Sequence, residues 1–401
     1  MTPLPEGFVW GTATAAHQVE GGNSNNDWWA WEHTPGTRCR EPSGDACDHY
    51  NRFAADLELL AGLGFNAYRF SLEWSRIQPE PGLWSPVALD HYRQVCECCL
   101  SFGLTPIVTF HHFTTPRWVA HLGGWEDPDT AGRFAEFCER SVARLGDLIG
   151  WAATLNEPNV VALMGYQAGV FPPGRRDGML RREVTNVMLD AHRQGAAALR
   201  AGPGSFPVGV TLAMTDFVAV DGGEERAARY RRSGEDPWLE AARDDDFLGV
   251  QTYTRMRVGP EGALPNEPGV PKTQMGYEEW PAALEACIRR AAAAVGPDVP
   301  IVVTENGLST DDDARRIDFV HAALEGVVAC IADGIDVRGY VYWSLLDNFE
   351  WSFGYAPKFG LIAVDRATQR RIPKPSAAWL GAVARVNGLP PRGDRPVPSP
   401  E

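Results

Sequence analysis

The chain has 401 residues, 44% of them hydrophobic, which is enough apolar side chain for a large packed core and excludes both a small stapled domain and a disordered regulator. Its 37 basic and 52 acidic residues leave a formal charge of −15, which repels phosphate backbones and anionic membranes. Nucleic acid and membrane are therefore set aside as partners in favour of a neutral small molecule.

Residues 1–7 show no basic segment followed by an apolar run, and no stretch is apolar for long enough to span a bilayer, so a cytoplasmic protein is expected. Among the eight cysteines, Cys96, Cys98 and Cys99 crowd one predicted helix and point apart, which favours free thiols over disulfides. No cluster has zinc-site spacing.

Short apolar runs alternate with longer amphipathic stretches. Strands are predicted near 8–14, 66–72, 105–111, 151–155, 207–213, 247–253, 300–304 and 338–344, with helices such as 86–102, 130–145, 184–200, 281–295 and 315–332 between them. Eight β-then-α units in order predict an α/β fold, a single (β/α)8 TIM barrel over 1–387. The segment 388–401, rich in Pro and charge, is expected to be a disordered tail.

Two predicted strand ends carry a carboxylate in a polar setting: Glu157 in WAATLNEPN and Glu305 in PIVVTENGL. In a barrel, residues at the C-terminal strand ends project into the pocket built by the βα loops. Strands four and seven lie three steps apart around the ring, so the two side chains can converge, as glycoside hydrolysis requires of an acid and a second carboxylate. An isolated Glu is more often a cap or a surface ion-pair partner; two of them on these strands are not explained that way. Glu20, Glu73 and Asp48 are rival carboxylates without an equally clear opposite partner, and are read as supporting residues.

The other strand ends are also polar or aromatic. Strand one leads to Gln18, strand two carries Arg69, strand three ends in His111 and His112, strand six includes Tyr253, and strand eight delivers Trp343, then Glu350 and Trp351. Such hydrogen-bonding groups with Trp platforms suit a neutral pyranose, with its many hydroxyls and one apolar face. His111 and His112 face opposite ways on a strand, which argues against their sharing a metal ion.

From FVWGTATAAHQVEG through YRFSLEWSRI, TFHHFTTPRW, TLNEP, AHRQGAAALR, DFLGVQTYTR and VTENG to WSLLDNFEWSFGYAPKFGL, the chain resembles glycoside hydrolase family 1, the β-glucosidase and β-galactosidase barrels. The resemblance implies a retaining β-glycosidase acting on terminal β-linked hexosides, β-D-glucosides first and galactosides or fucosides besides, without metal or organic cofactor. It implies Glu157 as acid/base and Glu305 as nucleophile, with Arg69 and Tyr253 contacting Glu305. The sugar would be held by Gln18, His112, Asn156, Glu350 and Trp351 and stack on Trp343. No oligomeric state is assigned. Glu350 and Trp351 stand where members acting on 6-phosphorylated sugars differ, so free hexosides are expected. Gln251 and Thr252 replace the usual Asn and Tyr, Phe113 and Thr114 replace the commoner Trp and Asp, and the connections after strands five and six are short, which predicts a wide leaving-group site. A barrel that has lost catalysis and a transglycosylase are the competing readings.

Overall fold

The computed structural model describes residues 1–393. Eight parallel strands close into a barrel: β1 (Val9–Ala13), β2 (Ala67–Ser71), β3 (Thr105–His111), β4 (Trp151–Asn156), β5 (Val208–Ala213), β6 (Phe247–Gln251), β7 (Ile301–Asn306) and β8 (Val337–Trp343). Neighbours in sequence are neighbours in the ring, and β8 returns to β1 with Gly339 opposite Val9 and Trp343 opposite Ala13. The barrel interior is filled by side chains, so there is no room for larger ones at some positions. A Cβ on Gly249 of β6 would lie 2.5 Å from Thr211 Cγ2 and 2.8 Å from Thr304 Oγ1.

The outer helices form for reasons visible in their sequences. Thr130–Leu145 buries Phe134, Phe137, Cys138, Ser141, Val142 and Leu145, one stripe at helical spacing, against the barrel. Pro86–Ser101 opens with proline in its first turn, and the Ser85 side chain accepts a hydrogen bond from the Ala88 amide. Each phenylalanine so buried contributes about 2 kcal/mol of hydrophobic free energy.

Three features depart from the sequence reading. The connections after β5 and β6 join in a small sheet in which Asp216–Ala219 runs parallel to Arg255–Gly259, which pairs in turn with Gly262–Ala263. After β8 a hairpin pairs Ile362–Asp365 with Arg370–Pro373. The expected tail does not begin at 388, because Gly388–Leu389 pairs antiparallel with Thr2–Pro3. Asn387 turns the chain there: it takes the left-handed cap position after helix Pro375–Val386, accepts from Trp10 Nε1 at 2.9 Å and donates to the Pro5 carbonyl at 2.9 Å. The rest of that expectation, over 394–401, lies outside the described residues. Among the described residues, no helix is long and apolar enough to cross a membrane.

Candidate active site

Asn156 ends β4, and Glu157 follows it with φ 43° and ψ 52°, a left-handed conformation that is unfavourable for a residue with a Cβ. The turn is held because the Glu157 amide donates to the Thr211 carbonyl at 2.9 Å and Pro158 opens the next helix. Strain of this kind persists where the surroundings over-determine it, and it aims the Glu157 side chain off the strand axis into the loops. Across the ring, Glu305 lies in β7 itself. The following Asn306 donates to the Thr252 carbonyl at 2.7 Å and accepts from Tyr340 Oη at 2.7 Å, tying β7 to the neighbouring elements. A Cβ on Gly307 would lie 2.1 Å from the Trp343 carbonyl oxygen, so only glycine lets β8 approach at that point. The residues after Glu305 in the TENG run therefore brace the wall on which it sits.

The two carboxyl groups stand in different environments. Glu305 is buried and receives three donors: Arg69 Nη1 to Oε1 at 2.6 Å, Gln251 Nε2 to Oε1 at 3.1 Å and Tyr253 Oη to Oε2 at 2.6 Å. Burial pushes its carboxyl above the ordinary carboxylate range, and Arg69 and Tyr253 pull it back. For Glu157 burial acts first and the nearby Glu305 second, holding its carboxyl well above that range, while Arg69 opposes only from a distance. Among the described residues no side chain donates to Glu157. Of the pair, Glu305 ionises first and Glu157 keeps the proton.

Asn156, beneath the cavity floor, is oriented by its neighbours. Its Oδ1 accepts from Arg69 Nη2 at 2.5 Å and Gln251 Nε2 at 2.9 Å, so its amide nitrogen is left to donate to His112 Nε2 at 3.1 Å. That places the imidazole hydrogen on His112 Nδ1, which has no partner among the protein groups. Burial and the Arg69 charge keep His112 neutral by holding its pKa well below the usual value.

The far wall comes from the loop after β8. Lys374 Nζ donates to Asp347 Oδ1 at 2.8 Å, and Asn348 Nδ2 donates to Ser344 Oγ at 3.0 Å, fixing the loop that presents Glu350 and Trp351. Gln18, on helix Ala16–Val19 after β1, donates to the Phe349 carbonyl at 2.9 Å, to Asn348 Oδ1 at 3.2 Å and to Glu350 Oε2 at 3.5 Å. Gln18 Oε1 is buried without a donor. Burial and the Glu305 charge push Glu350 up to about 8. Trp351 stacks on His17, 5.7 Å between ring centroids and 10° between planes, and the Trp343 ring lies 5.8 Å from His112.

These side chains enclose one cavity of about 300 Å³. Gln18, His112, Glu157, Tyr253, Glu305, Trp343, Glu350 and Trp351 line it, and Arg69 and Asn156 lie buried beneath. Tyr253 sits two residues beyond the end of β6, which stops at Gln251. His111 faces away, against Trp125 and Phe134. The rival carboxylates are engaged elsewhere: Glu20 with Arg76 and Tyr92, Glu73 with Asn23, Ser75 and Thr114, and Asp48 with Arg52. The contribution of Gln251 was not legible in the sequence, where it stood only as a departure from asparagine.

Residues 1–236 and 242–389 match the model of glycosyl hydrolase family 1. The chain is 35% identical over 440 residues to beta-glucosidase A of Thermotoga maritima, covering 96% of this chain and 98% of that one. It superposes on the crystal structure of beta-glycosidase BGL167 with a TM-score of 0.91 at 49% identity, covering 100% of this chain and 99% of that chain. On the beta-glucosidase of Thermotoga maritima in complex with deoxynojirimycin the TM-score is 0.91 at 32% identity, over 97% and 100% of the two chains. A parallel barrel with paired carboxylates at its C-terminal face, matched over this length, defines a glycoside hydrolase. The chain belongs to glycosyl hydrolase family 1 and is a retaining β-glycosidase.

Proposed function

We propose that this enzyme is a β-D-glucosidase that removes terminal non-reducing β-linked glucose, with Glu305 as nucleophile and Glu157 as acid/base. The observation that carries the assignment is the asymmetry of donors: Arg69, Gln251 and Tyr253 hold Glu305, and no side chain among the described residues donates to Glu157. Glu305 attacks the anomeric carbon as the bond to the leaving oxygen breaks, and Glu157 gives that oxygen its proton. Glu157 then takes a proton from water, the water oxygen attacks the anomeric carbon, and Glu305 leaves as carboxylate with net retention. The two carboxylates and one water balance every proton and electron pair.

Gln18, His112, Glu350 and Trp351 bind the glucosyl unit and Trp343 stacks on it, while Asn156, expected among these ligands, lies beneath the cavity and orients His112. Gln18 Oε1 and His112 Nδ1 supply an unpartnered acceptor and donor for its hydroxyls. Galactosides and fucosides, which differ at one or two hydroxyls, are secondary substrates. All eight cysteines are unpaired, which supports a reducing, cytoplasmic compartment. The test is Glu305→Ala with an activated aryl β-glucoside. Turnover should vanish and return with azide as the α-glucosyl azide; a β-azide would reverse the two roles.

A further inference from the structure

Gln251 ends β6, is 1% exposed and lies on the floor of the catalytic cavity. Its single amide nitrogen donates to Asn156 Oδ1 at 2.9 Å and to Glu305 Oε1 at 3.1 Å, while its Oε1 receives nothing from the protein. A carboxamide in this orientation presents hydrogens to the carboxylate and keeps its own oxygen away from it. The opposite orientation would set two acceptors against each other, so the electrostatics select one.

We propose that Gln251 is a positioning residue for the nucleophile: it clamps Glu305 and Asn156 together, fixing the attacking carboxylate relative to the residue that orients His112. The inference rests on the reading of Glu305 as nucleophile. Two effects follow. Gln251 is a buried donor to the ionised form of Glu305, and such a donor favours the anion. It also keeps Asn156 Oδ1 turned inward, so that Asn156 Nδ2 continues to donate to His112. The charged and titratable groups facing Glu305 are Arg69, Tyr253, Glu157 and Glu350, and Arg69 shares both of the acceptors that Gln251 holds.

The experiment is the pH profile of kcat/KM for Gln251→Leu and Gln251→Asn against wild type, on one aryl β-glucoside, with folding checked by thermal melting. The acid limb of this profile reports the group that must be ionised in the free enzyme. In Gln251→Leu it should rise by about one pH unit, giving about a tenfold further loss at the acidic end than on the plateau, with the basic limb unmoved. Gln251→Asn should show a smaller rise in the same direction. Covalent inactivation by a cyclitol epoxide, in which Glu305 opens the ring as Glu157 protonates the epoxide oxygen and no water step takes part, should slow in parallel. An acid limb that stays in place in a folded variant overturns the proposal, however much kcat falls. If Gln251→Leu does not fold, the acid limb of Gln251→Asn decides in the same way. An unmoved limb with intact azide inversion in Glu305→Ala removes only the role of Gln251, whereas β-azide there removes the nucleophile assignment itself.

Discussion

Tyr253 Oη lies 2.6 Å from Glu305 Oε2, on the carboxylate oxygen opposite the one that Arg69 holds at 2.6 Å. The two carboxylate oxygens thus have separate anchors, and the phenol is the one from which a hydrogen bond can be deleted without removing a buried charge. Tyr253→Phe is expected to lower kcat/KM about 100- to 1000-fold with little change in thermal stability, the scale seen when one preorganised donor is lost. Arg69→Met should be far worse, because it strips the buried carboxylate of its counter-charge and costs about 3–5 kcal/mol of stability. Steady-state kinetics with thermal melts of both variants check the contrast.

Glu157 should reveal its role through the leaving group. In Glu157→Ala, a glucoside with an acidic phenol as leaving group still forms the glucosyl-enzyme, while one with a poor leaving group loses about a thousandfold or more in kcat/KM, because only the latter needs the proton. A plot of log kcat/KM against leaving-group pKa should steepen relative to wild type. Parallel lines for the two enzymes would deny Glu157 the acid role.

Glu350 makes a stability prediction. Its folded-state carboxyl titrates near 8, pushed up from 4.5 by burial and by Glu305. Between those values the folded protein holds a proton that the unfolded chain has released. Folding therefore takes up a proton, and stability falls as pH rises from about 4.5 to about 8. Glu350→Gln removes that dependence. Relative to wild type it should gain about 1 kcal/mol, a couple of degrees in Tm, at pH 8 and nothing at pH 4, the figure being kept small because the group reaches solvent. Melting curves at the two pH values decide it, and an equal effect at both would contradict the burial argument.

Much of this arrangement is legible in the amino-acid sequence alone. The eight barrel strands fall within two residues of their predicted positions at each end, because an apolar run bounded by Gly, Pro or Asn is what a parallel buried strand requires. The residues at the ends of those runs, the polar Glu157, Glu305 and His112 and the aromatic Trp343, stand out because a purely structural barrel needs nothing special there. The small sheet of Asp216–Ala219 and Arg255–Gly259 is hidden, since its strands are short and half-exposed and so carry no alternation. Gln251 is hidden for a different reason. A lone amide at a strand end has no sequence signature for its partners, which belong to β4 and β7 and meet it only when the ring closes.

The apolar part of the cavity lining includes Val160, Met164, Phe171, Met214, Met275 and Phe353. Apolar walls rich in methionine adapt to shape and discriminate weakly. For glucosides whose small, flat and bulky aglycones share one leaving-group pKa, kcat/KM is expected to vary by less than about tenfold, or about 1.4 kcal/mol. A loss of a hundredfold for the bulky members would show that these walls close on the substrate.

The proposed mechanism requires above all that Glu305 carry the sugar between the two steps. A 2-deoxy-2-fluoro-β-glucoside with a good leaving group slows the second step more than the first, so the glycosyl-enzyme accumulates and can be digested and mapped by mass spectrometry. One fluoroglucosyl unit is expected, attached to the peptide containing Glu305 and absent from Glu305→Gln. A label on the Glu157 or Glu350 peptide, or inactivation without covalent attachment, would contradict that role.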